Sequence, residues 1–232
     1  MASVLTEDIT FASNGGTASG YLARPDDAMT HPGVIVIQEW WGINDHIKDV
    51  ARRFAAAGFV ALAPDLYHGK VTAEPNEAQK AAMALDQSEV AKDLQGALVA
   101  LQGRAEVAPK KIGVTGFCMG GRIALKFATQ AGAELGAAVS FYGGGYDPTE
   151  AEVQAMQCPI LAIYGSNDQS TPEPLREKLR QFLTDNGKVS DMVVYQGAQH
   201  AFFNDTRPEV HDAAASQDAW QRTVDWFTRY LK

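Results

Sequence analysis

The stretch Lys111-Ile-Gly-Val-Thr-Gly-Phe-Cys-Met-Gly-Gly-Arg-Ile-Ala-Leu125 decides the fold. Ile112 and Val114 alternate as in a short buried strand, and the residues from Met119 onward have the spacing of a helix. Between them, Gly116-Phe117-Cys118-Met119-Gly120 has the pattern G-x-C-x-G. A residue on so tight a strand-to-helix turn draws the positions two before and two after it together until side chains there would collide, which is why both are glycine. Such a turn lifts the Cys118 sulfur out of the sheet. It also sets the sulfur against a helix N-terminus, whose N–H groups and positive dipole end favour the thiolate. Taken alone, a free cysteine reads equally well as a small core hydrophobe, and the rest of the chain has to decide.

Upstream, strands are expected at Val4–Phe11 and Ser19–Ala23, joined through Asn14-Gly15-Gly16, a strong hairpin signal. Pro32-Gly-Val-Ile-Val-Ile37 is a β-branched run of the kind buried on both faces, and it ends in Gln38-Glu39-Trp40-Trp41-Gly42. A helix from Asn44 or Asp45 to about Ala57 follows, stopped by Gly58, then a strand Phe59–Ala63 closed by Pro64-Asp65-Leu66-Tyr67. Residues 76–102 carry one helical pattern. Downstream, the elbow helix runs to about Gln130, followed by a strand Leu135–Tyr142 and the glycines Gly143–Gly145. Strand Ile160–Tyr164, helix Pro172–Asn186, strand Met192–Tyr195 and a final helix over 209–231 complete the chain. This alternation predicts an α/β fold, a mostly parallel central sheet with helices on both faces. The 16 residues between Tyr142 and Pro159 leave no room for a large cap domain, so a single domain over residues 1–232 is expected.

Composition narrows the classes of function. With 232 residues, 46% of them hydrophobic, the chain can build a sizeable core. A net charge of −8 without any basic run argues against nucleic acid as a partner. No apolar stretch approaches the roughly 18 residues that span a bilayer, and Met1–Asp8 lacks the features of a signal peptide, so no membrane partner and a cytoplasmic location are expected. The two cysteines, Cys118 and Cys158, are too few for a disulfide framework, and Cys158, just before Pro159, is expected to be an inert core thiol.

In parallel sheets ligands bind beyond the carboxyl ends of the strands, so the polar residues that follow each strand carry the chemistry. They are Glu39, Asp65, Cys118, Asp168 in Gly165-Ser-Asn-Asp168, and His200 in Gly197-Ala-Gln-His200. Asp65, in Pro-Asp-Leu-Tyr, reads as a structural turn. The order Cys118, Asp168, His200 is nucleophile, carboxylate, histidine, the order of the α/β-hydrolases. His200 can take the thiol proton, and Asp168 can set the imidazole tautomer and stabilise its cation. No pair among the five histidines has metal-ligand spacing, so no metal is expected. Trp40, Trp41, Tyr67, Tyr142 and Phe202 stand at strand ends, either lining an apolar cleft or packed in the core.

From the strand at residue 33 to the last helix the chain resembles the dienelactone hydrolases. The resemblance rests on Gln38–Gly42, Pro64–Tyr67, Gly116–Gly121 and the Gly197–His200 turn, with the cysteine elbow the sharpest motif. It implies that Cys118, His200 and Asp168 form a triad, with Glu39 hydrogen-bonded to the resting thiol and helping to deprotonate it. The oxyanion would rest on the backbone N–H groups of Met119 and Trp40. Family members hold a substrate carboxylate with two arginines, one of them four residues after the histidine. Asn204 stands there in this chain, and only Arg207, Lys70 or Lys80 could substitute. Lysine does not reproduce bidentate carboxylate recognition. The resemblance implies hydrolysis of a small ester or lactone through a thioester acyl-enzyme, without a cofactor, by a monomer or small homo-oligomer. The alternatives are a thioesterase or other acyl hydrolase, or a non-catalytic relative that binds a metabolite or senses oxidants through Cys118.

Overall fold

The structure, a computed structural model, describes residues 3–232. Eight strands form one sheet, and the contacts of the chain gather into two compact units. One runs to Gly113 and takes in Leu231; the other spans Val114–Tyr230 with Lys232.

In the first unit, strands β1 (Val4–Ser13) and β2 (Gly16–Pro25) make an antiparallel hairpin. Asn14 and Gly15 turn it with φ of 52° and 75°, the left-handed pair that a two-residue hairpin loop requires. Strand β2 pairs antiparallel with β4 (Val60–Pro64), which pairs parallel with β3 (Gly33–Ile37). Every residue of β3 and β4 is buried, as their unbroken apolar runs predict. Helix α1 (Asp45–Ala56), capped by Asn44 Oδ1 on the Ile47 N–H at 3.2 Å, packs on β2, β3 and β4.

The single helix expected over 76–102 is two helices, α2 (Pro75–Ala84) and α3 (Gln87–Gly103). Asp86 breaks it: its Oδ1 accepts from the N–H groups of Ser88 at 2.7 Å and Glu89 at 3.3 Å, so it caps a new helix instead of continuing the old one.

Strand β5 (Ile112–Phe117) leads into the second unit, which holds helix α4 (Met119–Gln130), β6 (Leu135–Phe141), helix α5 (Glu150–Ala155), β7 (Ile160–Gly165), helix α6 (Glu173–Asp185), β8 (Ser190–Tyr195) and helix α7 (Ala213–Leu231). The strand order in the sheet is β1-β2-β4-β3-β5-β6-β7-β8, with β6, β7 and β8 parallel. This is the mostly parallel α/β sheet that the alternation predicts. Helix α5 falls between Gly145 and Pro159, where no element is expected from the sequence; its signal is Thr149-x-x-Glu152, a capping box that the structure closes in both directions. The last helix starts at Ala213, because Asp212 caps it by accepting from the Ala215 N–H at 3.0 Å. Among the described residues, no helix is long and apolar enough to cross a membrane.

The second unit's core centres on Phe117, Phe141 and Phe203, each at most 1% exposed, with ring centroids 4.7, 5.4 and 4.9 Å apart in the three pairings. Phe203→Ala would open a cavity there at a cost of about 3–5 kcal/mol. Thermal unfolding of that variant is expected roughly 6–20 °C below wild type, and a shift under about 2 °C would show the ring to be dispensable.

Candidate active site

The elbow is built by backbone approaching backbone. Cys118 sits at φ 57°, ψ −118°, a region that side-chain-bearing residues seldom occupy. A Cβ on Gly116 would overlap the Gly120 carbonyl, and one on Gly121 would overlap the Phe141 carbonyl oxygen. The Cys118 N–H donates to Phe141 O at 3.1 Å, Ser140 Oγ donates to Gly121 O at 3.0 Å, and the Arg122 N–H donates to Cys118 O at 3.2 Å. The turn is thus pinned to the end of β6, and Cys118 stays partly exposed at the start of α4. The other cysteine differs in kind. Cys158 is 5% exposed and its burial pushes the thiol up to about 12, so it remains protonated at neutral pH.

The loops after β7 and β8 are fastened to each other. Gly165 pairs with Tyr195 at the ends of the two strands, and the Ser166 N–H donates to Tyr195 O at 2.9 Å. The Asn167 N–H donates to Ala198 O at 3.0 Å, Asn167 Nδ2 donates to Gly197 O at 3.1 Å, and the Gly197 N–H donates to Ser166 Oγ at 2.8 Å. This places His200 Nδ1 2.8 Å from Oδ2 of Asp168, whose side chain is fully buried.

The imidazole also hydrogen-bonds to Cys118. Burial works against its charged form, but the hydrogen bonds to Asp168 and Cys118, and their charges, outweigh this and raise the ring to about 10. For Asp168 burial pushes upward. The His200 hydrogen bond and charge, with Ser170, more than reverse it and hold the carboxyl below the usual range. At neutral pH the two are therefore an imidazolium and a carboxylate. A cationic ring donates from both nitrogens, so with Nδ1 committed to Asp168, Nε2 is left for the sulfur.

Ser170 was not foreseen. Its hydroxyl donates to Asp168 Oδ1 at 2.7 Å and lies 3.0 Å from His200 Nδ1. Its signal in the sequence, a serine two residues after an aspartate, is that of an ordinary turn.

Met119 is the first residue of α4 and buried. Tyr142 and Phe202 are fully buried: the Tyr142 ring stands edge-on to the imidazole at 5.1 Å and to Phe202 at 5.5 Å, making a packed wall beside His200. Asn204 is also buried, and its Oδ1 accepts from the Thr206 N–H at 3.1 Å and hydroxyl at 2.6 Å, so this side chain organises its own turn. Arg207 Nε pairs with Glu209 at 2.9 Å.

In the first unit, Glu39 follows β3 and is 1% exposed, while the preceding Gln38 accepts the Leu66 N–H at 3.3 Å. Trp40 and Trp41 are half-buried, with rings edge-to-face at 5.0 Å. Tyr67 is half-buried in a turn that Asp65 knits by accepting from the N–H groups of Tyr67 at 3.0 Å and Gly69 at 2.5 Å. Lys70 and Lys80 share one carboxylate, Glu77, at 3.4 and 2.9 Å. Among the described residues, no three His, Cys, Asp or Glu side chains are grouped to hold a metal ion.

Residues 18–231 match the dienelactone hydrolase family. The protein usf of Aquifex pyrophilus is 36% identical over 96% of this chain and 98% of its own length. A protein of Methylorubrum extorquens, described as a candidate carboxymethylenebutenolidase, is 33% identical over 98% of this chain and 82% of its own. The crystal structure of a candidate dienelactone hydrolase from Klebsiella pneumoniae superposes with a TM-score of 0.89 at 31% identity, covering 98% of this chain and all of that one. A protein carrying this elbow and this carboxylate–imidazole pair, and matched along nearly its whole length, belongs to the dienelactone hydrolase family of carboxylic ester hydrolases.

Proposed function

We propose that this protein hydrolyses small neutral carboxylic esters or lactones, with Cys118 as nucleophile, His200 as acid and base, and Asp168 as its orienting carboxylate. The observation that carries the reading is the imidazole hydrogen-bonded to the buried Asp168 on one side and to Cys118 on the other. The thiolate attacks the carbonyl carbon, and the displaced electron pair becomes an oxyanion. The Met119 N–H, at the positive end of α4, receives it, since the Cys118 N–H is already given to Phe141. Collapse breaks the bond to the leaving oxygen, which takes its proton from the His200 imidazolium, and the acyl group remains on sulfur as a thioester. Acylation also removes the Cys118 side-chain interaction, one of the causes that raise the ring. The imidazole that has lost its proton therefore stays neutral long enough to accept one from water, which attacks the thioester and releases the acid. Thiolate and imidazolium are then restored. No step calls for a cofactor.

A neutral substrate is favoured by the placement of the basic side chains. Lys70 and Lys80 face Glu77, Arg207 faces Glu209, and Asn204 is committed to its turn. The net charge of −8 gives an approaching anion no general help.

Wild type is expected to turn over p-nitrophenyl acetate faster than a matched ester bearing a carboxylate. Cys118→Ala should abolish both activities with the far-ultraviolet dichroism unchanged, and Cys118→Ser should keep only a trace, because a hydroxyl ionises far less readily than a thiol. Undiminished turnover in the alanine variant would remove Cys118 from the chemistry. His200→Ala and Asp168→Ala should each lower kcat by roughly 10²–10⁴-fold, and the double variant by little more than the worse single one, as for groups acting as a unit. Losses that multiply would break the pairing.

The His200 ring also links stability to pH. Its value in the folded chain, about 10, lies above the roughly 6.5 of an unfolded histidine. The imidazolium's contribution is thus complete below about pH 6.5 and is lost as pH rises through 10. The gap in melting temperature between wild type and His200→Gln should narrow from pH 6 to pH 10.5, and a constant gap would contradict it.

A further inference from the structure

We propose that Ser170 is a positioning residue of the hydrolytic site, its hydroxyl tying Asp168 and His200 together a second time. The inference rests on the reading in which these two residues serve Cys118. A hydroxyl has one proton to give and lone pairs to receive, whereas an ionised carboxylate only accepts. The Ser170 proton therefore goes to Asp168 Oδ1, 2.7 Å away, and Ser170 Oγ faces the Nδ1–H of His200 as an acceptor at 3.0 Å. That N–H is shared between Asp168 Oδ2 at 2.8 Å and Ser170 Oγ. The Ser170 N–H adds a further bond to Oδ1 at 2.8 Å. Both carboxylate oxygens are thereby engaged, and rotation of the carboxyl away from the ring would break bonds on either side.

The surroundings keep the hydroxyl in place. The Gly145 N–H donates to Ser170 O at 3.1 Å, and a Cβ on the neighbouring Gly144 would stand 2.6 Å from Ser170 Oγ. The glycine at 144 thus leaves the room that the hydroxyl occupies. Ser170 itself is an exposed residue, so the fold gains little core from it, and its removal should leave folding intact.

The experiment compares wild type, Ser170→Ala, Gly144→Ala and the double variant by steady-state kinetics on p-nitrophenyl acetate, nuclear magnetic resonance titration of the His200 ring, and thermal unfolding. Gly144 does not have a left-handed backbone, so the main chain admits alanine there, and its methyl group would crowd Ser170 and displace the hydroxyl. Ser170→Ala should lower kcat roughly three- to tenfold with KM within about twofold, the scale of one hydrogen bond. The His200 titration should move down relative to wild type, because the Nδ1–H of the imidazolium loses an acceptor. Gly144→Ala should reproduce both effects, and the double variant should be no worse than either single one. An unchanged kcat and titration in Ser170→Ala would overturn the proposal, as would a kcat loss that follows only the melting temperature while the ring titrates as in wild type. The titration is read without turnover. Failure of the ester hydrolase reading, seen as full activity in Cys118→Ala, is therefore distinguishable from failure of the role assigned to Ser170.

Discussion

Two polypeptide backbones meet with no side chain between them where the turn from β5 into α4 passes the end of β6, and the rest of the site is conditional on that approach. Only because Gly116 and Gly121 are bare can the chain reverse within one residue and begin a helix at once. The positive φ at Cys118 costs on the order of 1–3 kcal/mol. It is imposed by buried strand on one side, buried helix on the other, and the hydrogen bond from Cys118 to Phe141. The strain delivers orientation. A relaxed conformer at this residue would carry the sulfur elsewhere, away from the N-terminus of α4.

The second constraint is electrostatic. A carboxylate taken out of water loses several kcal/mol of solvation unless its oxygens find donors. Asp168 finds three, the imidazole ring and the amide and hydroxyl of Ser170, all within 2.8 Å. The fully buried Tyr142, edge-on to the imidazole, excludes solvent from that side of the ring and keeps the interaction strong. Charge therefore persists at His200 in spite of burial.

Much of this could be read from residue order, because a parallel sheet delivers its strand ends to one edge and puts whatever follows each strand to use there. Cys118, Asp168 and His200 each follow a strand, and their types needed no coordinates. Other features escaped for physical reasons. The break at Asp86 interrupts an apolar pattern that continues through it, and only the side chain's competition for the Ser88 and Glu89 amides ends the helix. Ser170 gave no signal apart from turn chemistry, because its second contact depends on a residue 30 positions away. Asn204 stood out as an arginine that is missing, yet it closes a turn with Thr206. The pairing of Lys70 and Lys80 with Glu77, and of Arg207 with Glu209, is a matter of side-chain placement over short reaches, where composition counts charges without saying which are spent.

The reciprocal bonds between Ser166–Asn167 and Gly197–Ala198 have a consequence for motion. Loops linked through both backbone and side chains drift together, so thermal displacement of one carries the other and leaves the separation of carboxylate and ring nearly constant. Cys118 rides on a different support, anchored to β6. Collective breathing of the unit is then concentrated in the gap between sulfur and imidazole. In the proposed hydrolysis a proton crosses that same gap, so stiffening it would trade turnover for rigidity.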